Sequence, residues 1–375
     1  MPDDLSEEDI VHAYYQQSNI DAIISLGDAL PSNLDVPQIE WLNTNTTKLW
    51  NGNNTSWVIA TSGTTNVPKL VEHTLESLSN SVKLDPQRGR DIMWGLLYAV
   101  SRFAGLQVFL QSLMGGSSLL IGEKHEDIEQ RISYFSKHGC NALSATPTLW
   151  RKILMSPSAS KMNLRIITLG GEISNQTVLS ALAGKYPNAR IRHIYASTEV
   201  GVGFAVTDGK EGFPALWLDS PPSGIELAVS RESKLKIRRG KLTQSYLSDE
   251  VQLAEDDGFI DTGDLVEICN DRVLFRGREN GAINVGGNKV QPEEIESVIS
   301  GVQGVALVKV RGITNSMMGS LVEATVVPRA GIDPDELRTK VMKRCREQLD
   351  AFKRPAILKM VEDLKTNASG KIIRN

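Results

Sequence analysis

From Ser56 onward, apolar and polar positions fall into short, regularly alternating blocks. Trp57-Val58-Ile59-Ala60 reads as a short apolar strand running into a Ser/Thr/Gly loop at 61–69. Residues 69–73 read as the returning strand, and Thr74 opens a helix over 75–82. Strands are predicted at 92–97, 118–121, 142–145, 164–169 and 190–194, and helices at 105–113, 127–138, from Pro147 onward and at 174–185. Glycine pairs stop two of these elements, at Gly115-Gly116 and Gly170-Gly171. Strand–helix alternation at this spacing predicts a parallel α/β sheet, whose ligands sit at the carboxyl ends of strands. The loops at 61–69, 170–172 and 195–199 are expected there.

Beyond about residue 213 the segments shorten and alternate, at 225–229, 234–238, 265–269 and 273–275, which predicts a small antiparallel subdomain. Glu279-Asn280-Gly281 reads as a linker. The remainder reads strand, helix (292–300), strand (305–311), strand (321–328), helix (333–348), strand (356–361): a compact α+β unit. The first fifty residues are mixed, with a helix expected over 5–16 and a short strand over 21–26. There is no internal repeat.

At 375 residues the chain fits two or three domains. A hydrophobic fraction of 41% and a charged fraction of 23% exclude disordered, collagen-like and coiled-coil classes. The formal net charge of -4 offers no electrostatic footprint for nucleic acid or an anionic membrane. The two short basic clusters, 234–239 and 340–346, read as one solvated strand face and one solvated helix face. Three widely spaced cysteines, Cys140, Cys269 and Cys345, form neither a disulfide framework nor a paired metal motif. The acidic start lacks an apolar signal core, and no run reaches the length of a membrane span. A cytoplasmic location is the expectation, so the Asn-x-Ser/Thr sites near Asn45 and Asn53 carry no meaning for glycosylation.

Five segments could carry chemistry. The loop Thr61-Ser62-Gly63-Thr64-Thr65-Asn66-Val67-Pro68-Lys69 offers hydroxyls, a glycine and a cation that could wrap phosphate oxygens, without Walker A spacing. Its Ser/Thr/Gly content alone favours a polar hairpin turn between two strands. Tyr195-Ala196-Ser197-Thr198-Glu199 offers an aromatic ring, hydroxyls and a carboxylate for Mg2+, or simply a capped helix start. The run from Asp257 to Leu265 suggests a tight turn presenting a carboxylate to a ribose diol, or a plain Asp-Gly hairpin. The run from Arg276 to Glu296 joins a glycine pair to a proline-and-acid helix start. Lys371 lies on a glycine-flanked tail and alone would pass for a solvated lysine.

In this order the five segments resemble the adenylate-forming superfamily of acyl-CoA synthetases, peptide-synthetase adenylation domains and luciferase-like enzymes. The family patterns TSGTTGxPK, YGxTE, TGDL, GR with a hinge and xGxxVxPxEIE, and PKTxxGKIxR read here TSGTTNVPK, YASTE, TGDL, GRENGAINVGGNKVQPEEIE and LKTNASGKIIR. The similarity runs from about Ser56 to the C-terminus.

The resemblance implies an α/β fold: a large N-terminal domain (1–278) with parallel sheet layers and a small antiparallel subdomain, a hinge at 279–281, and a small mobile α+β lid (282–375). It implies that Thr61, Ser62, Gly63, Thr64, Thr65 and Lys69 contact the β- and γ-phosphates of ATP. Tyr195 would stack on adenine, with Ser197 beside it; Thr198 would touch the α-phosphate and Glu199 would hold Mg2+. Asp264 and Arg278 would bind the ribose hydroxyls, and Gly170, Gly171 and Glu172 would line the adenine and acyl pockets. Lys371 would bridge the carboxylate and the α-phosphate. Asn280 takes the hinge position, Gly287 the pantetheine tunnel, and Arg102 the acyl-pocket wall. The implied reaction activates a small-molecule carboxylic acid as acyl-AMP and passes the acyl group to CoA. A carrier-protein phosphopantetheine is the alternative thiol, a catalytically silent nucleotide binder is a rival reading, and a homodimer is left open.

Three departures stand out. Asn66 replaces the usual glycine, at a residue type that tolerates positive φ. Asn280 replaces the usual Asp or Lys, and Ala196 replaces a glycine. Sixty residues precede the phosphate loop, fewer than family members carry, so a trimmed N-terminal subdomain is expected.

Overall fold

The computed structural model describes residues 23–24, 38–39, 56–61, 69–122, 126–222, 224–239, 245–246, 253–315, 318–366 and 371–372. The helix expected over 5–16, residues 62–68 of the phosphate loop and tail residues 367–370 lie outside them. The chain clusters into two compact units: 1–78 with 241–253, and 79–240 with 254–375.

In the first unit, β1 (Ile23–Ile24) pairs in parallel with β2 (Gln38–Ile39). β3 (Trp57–Ala60) and β4 (Leu70–His73) pair antiparallel, as the outgoing and returning strands around the loop, and β14 (Ser245–Tyr246) adds to the free side of β4. The loop at 61–69 therefore joins two antiparallel strands. It does not sit at the end of a parallel strand, as the alternation pattern suggested. A short helix, α1 (Leu75–Ser79), follows.

The second unit holds the predicted parallel sheet. Its order is β10-β9-β8-β7-β5-β6, with β5 (Met93–Leu96), β6 (Ser118–Ile121), β7 (Ala142–Ala145), β8 (Ile166–Gly170) and β9 (Arg190–Ser197) parallel and β10 (Gly201–Val206) antiparallel at the edge. The helices are α2 (Pro86–Gly89), α3 (Phe103–Met114), α4 (Ile128–Lys137), α5 (Pro147–Met155) and α6 (Gln176–Lys185). Local chemistry explains their starts. Asp127 and Gln130 form a reciprocal capping box on α4, and Thr146 caps α5 ahead of Pro147, whose fixed φ suits a first helical turn. The apolar face of α5, with Trp150 and Ile153 fully buried, packs on the sheet beside Ile167, Leu169 and Leu182. Burial of a side chain such as Ile153 contributes about 1.5–3 kcal/mol.

The predicted antiparallel subdomain is a five-stranded sheet in the order β11-β16-β15-β13-β12: β11 (Phe213–Pro214), β12 (Ile225–Val229), β13 (Lys234–Arg239), β15 (Ile260–Cys269) and β16 (Arg272–Arg278). A three-residue 3-10 turn, Glu279–Gly281, leads to the last part of the chain. There, β17 (Ile283–Val285), β18 (Asn288–Val290), β19 (Val305–Asn315), β20 (Gly319–Pro328) and β21 (Ile357–Met360) form a sheet covered by α7 (Pro292–Ser300) and α8 (Pro334–Gln348). Among the described residues, no helix is long and apolar enough to cross a membrane.

Candidate active site

Three strand ends of the parallel sheet supply one side of the site. β7 exits through Thr146 into α5, β8 ends at Gly170-Gly171-Glu172, and β9 ends in Tyr195-Ala196-Ser197-Thr198-Glu199. The backbone N–H of Thr148, one of the unpaired donors of the first turn of α5, donates to Glu172 Oε2 at 2.9 Å. That bond fixes the Glu172 carboxylate at the positive end of the helix. Gly171 has φ +80°, where an L side chain is strained. A Cβ there would lie 3.5 Å from Lys371 Cε and 3.8 Å from Thr146 Cγ2. The side vacated by Gly171 is thus the surface on which Lys371 lies. The Thr366–Ile372 bridge brings Lys371 there, and Leu364 and Ile372 pack with Ala306, Leu307 and Val327.

A second cluster joins β9 to the antiparallel sheet. The Tyr195 hydroxyl donates to Asp264 Oδ2 at 2.6 Å, and Arg278 Nε donates to Asp264 Oδ1 at 2.9 Å. Asp264 and Arg278 are cross-strand partners of β15 and β16, so the ladder register sets their meeting. Arg278 Nη2 also donates to the Thr262 carbonyl at 3.1 Å. Asp264 thus belongs to the interior of a ten-residue strand, not to the Asp-Gly turn expected to present it. That turn is real but lies upstream, where Gly258 has φ +80°. The Tyr195 ring stacks near-parallel to Phe204, its cross-strand partner, at 5.2 Å and to Phe275 at 5.3 Å. This aromatic packing was not legible in the motif.

The electrostatics bind the two clusters together. Burial lowers the Lys371 ammonium below its ordinary pKa; Glu172 opposes this, Arg278 adds repulsion, and Asp264 and Glu199 pull the other way. Burial, and then the Asp264 carboxylate, push the Tyr195 phenol well above its ordinary range. Gly171, Glu172, Tyr195, Glu199, Asp264, Arg278 and Lys371 therefore share one neighbourhood. Ser197 ends β9 and Thr198 belongs to the turn that carries Glu199, and the Ser197 hydroxyl accepts the Val200 N–H at 3.1 Å.

Arg102 is the half-buried N-cap residue of α3, and its side chain makes no capping bond. Asn280 is exposed in the 3-10 turn, where Glu279 pairs with Lys234 at 2.7 Å. Gly287 forms, with Gly286, a two-residue turn between β17 and β18 in which both φ angles are positive. Thr61 and Lys69 belong to the first unit, where each backbone N–H bonds the other residue, to Lys69 O at 2.8 Å and to Thr61 Oγ1 at 3.2 Å. Lys69 Nζ lies 4.9 Å from the Tyr246 ring centroid. Ser62, Gly63, Thr64 and Thr65 lie outside the described residues.

Residues that no motif flagged also face this region. Tyr98 is fully buried, its phenol pushed up by burial, hydrogen-bonded with Ser144 and near Glu172. The Thr146-Pro147 pair carried a capping signal that marks a strand exit, but nothing in it pointed to Lys371. Among the described residues, no group of three or more His, Cys, Asp or Glu side chains could hold a metal. Glu199 is a single hard oxygen donor, which suits Mg2+ held chiefly by phosphate.

A parallel sheet whose strand ends gather these charged groups around Lys371 defines an α/β class with its site at the strand ends, and the comparisons identify which. The AMP-binding enzyme model matches residues 5–235 and the AMP-binding enzyme C-terminal domain model matches 294–371. The chain belongs to the AMP-binding enzyme family. A 2-succinylbenzoate–CoA ligase of Listeria innocua is 27% identical over 360 residues, covering 91% of this chain and 73% of the relative. The p-hydroxybenzoic acid–AMP ligase FadD22 of Mycobacterium marinum is 28% identical, over 86% of this chain and 49% of the relative. Among solved structures, a variant of E. coli MenE with bound OSB-AMS superposes with a TM-score of 0.74 at 19% identity, covering 96% of this chain and 78% of that one. The anthranilate CoA ligase AuaEII in complex with anthranoyl-AMP gives 0.70 at 20% identity, and this chain spans 65% of its length.

Proposed function

We propose that this chain is an AMP-forming acid–thiol ligase that activates a small carboxylic acid with ATP and transfers the acyl group to CoA. The observation that carries the reading is Lys371, laid over Gly171 in the same charge neighbourhood as Glu199, Asp264 and Arg278. A solvated tail lysine has no reason to lie half-buried there.

The chemistry follows from those groups. A carboxylate oxygen attacks the α-phosphorus of ATP; a P–O bond forms and the bond to pyrophosphate breaks, its electrons leaving with pyrophosphate. Two anions must approach, and Lys371 is the cation placed to offset their repulsion as charge develops. In the second step a thiolate attacks the acyl carbon and the C–O bond to AMP breaks. Tyr195 would lie against adenine, and Asp264 with Arg278 would hold the ribose hydroxyls. Thr198 would reach the α-phosphate, and the loop from Thr61 to Lys69 the β- and γ-phosphates. Gly170, Gly171 and Glu172 would line the nucleotide and acyl sides, and Arg102 the acyl wall. Glu199 would hold Mg2+, which when bound supplies phosphate charge neutralisation.

The same proposal divides the chain into a core (1–278) and a lid (282–375) that turns about Asn280, withdrawing Lys371 and presenting Gly287 to the pantetheine arm. It places the enzyme in the cytoplasm, where ATP and CoA are at hand. The aryl acids in the names of relatives, 2-succinylbenzoate and p-hydroxybenzoate, lead the candidates for the acid. The test is acid-dependent pyrophosphate exchange over a panel of aryl, fatty, hydroxy and amino acids, with CoA and a phosphopantetheinylated carrier protein as acceptors. Exchange with at least one acid and CoA thioester formation are expected. ATP binding without exchange for any acid would leave a silent nucleotide binder in its place.

A further inference from the structure

One helix touches the Lys371 tail at both ends. At its N-terminus, the α5 cap Thr146 borders the same face of Gly171 as Lys371: Thr146 Cγ2 lies 3.8 Å and Lys371 Cε 3.5 Å from where a Cβ on Gly171 would be. Near its C-terminus, Lys152 Nζ donates to the Leu364 carbonyl at 2.7 Å and lies 2.9 Å from Asp363 Oδ1. Leu364 begins the stretch that closes through the Thr366–Ile372 bridge. Thr146 and Lys152 are six residues apart, which is about 9 Å along a helix.

The neighbouring side chain makes a second tie. Arg151 Nη2 donates to Asn175 Oδ1 at 3.0 Å, and Asn175 Nδ2 donates to Ser300 Oγ at 3.0 Å, reaching the last residue of α7. Exposed ion pairs contribute little, and the Asp363 side chain is 65% exposed. The Lys152 side chain is only 12% exposed, and one of its acceptors is a backbone carbonyl, whose position does not depend on a flexible side chain. The carbonyl bond is therefore the part of the contact that fixes the tail.

We propose that Lys152 is a positioning residue for adenylation: it holds Leu364, two residues before the Thr366–Ile372 bridge, on α5 so that Lys371 reaches the α-phosphate site. Lys152 does not touch the reacting atoms. It acts only while the tail is docked, so it serves the first half-reaction and not the second. This rests on the ligase reading above.

The experiment compares Lys152→Met, Lys152→Gln, Lys152→Arg and Asp363→Asn with the unaltered chain. Loss of a charge-assisted bond to a partly buried acceptor should slow pyrophosphate exchange about tenfold in the Met and Gln variants. Arginine should recover most of the rate, and Asp363→Asn should cost about twofold at most. Thioester formation from supplied acyl-adenylate should stay within about twofold throughout. Amide hydrogen exchange over 363–372 should quicken in Lys152→Met and Lys152→Gln. Unchanged exchange rates, or equal losses in both half-reactions, would overturn the role. A wild-type chain inactive with every acid would overturn the ligase reading alone. The hydrogen-exchange comparison still decides the docking, and unaltered protection of 363–372 would refute it.

Discussion

The Tyr195 hydroxyl donates a 2.6 Å hydrogen bond to Asp264, whose other carboxylate oxygen takes Arg278 Nε at 2.9 Å. The strand end of the parallel sheet and a cross-strand pair of the antiparallel sheet thereby share one carboxylate. Tyr195 orients the acid that the ligase reading assigns to ribose, in addition to presenting a ring.

Tyr195→Phe keeps the ring and removes the donor. The Asp264 carboxylate then loses one of two fixed partners, and a hydrogen bond to a charged group is worth about 1.5–3 kcal/mol. The ATP dissociation constant should rise about tenfold, with the KM for the acid little changed. Calorimetric titration with ATP measures it, and an unaltered ATP affinity would show that the bond is incidental.

At Gly171 the backbone has φ +80°, which strains alanine, while the new methyl would sit in ordinary van der Waals contact 3.5 Å from Lys371 Cε. Alanine at positive φ costs about 1 kcal/mol or more. If that strain is relieved by shifting the surface under Lys371, pyrophosphate exchange should fall about fivefold while thioester formation from supplied acyl-adenylate persists. A stability loss with both rates preserved would mean that Lys371 lies elsewhere during the reaction.

Lys371 also sets a pH dependence. Burial lowers its pKa from the ordinary 10.5, so the cation is lost at a lower pH than in a free lysine. Bound ATP and carboxylate add negative charge and raise it again. The adenylation profile should fall on its alkaline side, and the fall should come at lower pH in kcat/KM, which reports the free enzyme, than in kcat. Coincident alkaline limbs would mean that another group titrates.

Much of this was legible where local rules suffice. The glycine stop after β8 and the aromatic–hydroxyl–acid run after β9 mark real strand ends of the site. The C-terminal order of strands and helices followed from period, except that the single strand expected ahead of 292–300 is split at Gly286-Gly287 into β17 and β18. The antiparallel pairing of β3 and β4 followed from reading 69–73 as the returning strand, but non-local pairing was hidden: that β14 joins them in a sheet of their own is not encoded in their apolar signature. Asp264 owes its place to register with Arg278, which no turn signal encodes. Lys152 is a single lysine near a helix end, with no spacing to distinguish it from a solvated one.

The central claim is that Lys371 acts in adenylation and not in transfer. Lys371→Ala should nearly abolish acid-dependent pyrophosphate exchange while leaving the conversion of supplied acyl-adenylate and CoA to thioester close to the unaltered rate. Equal loss in both half-reactions would contradict it.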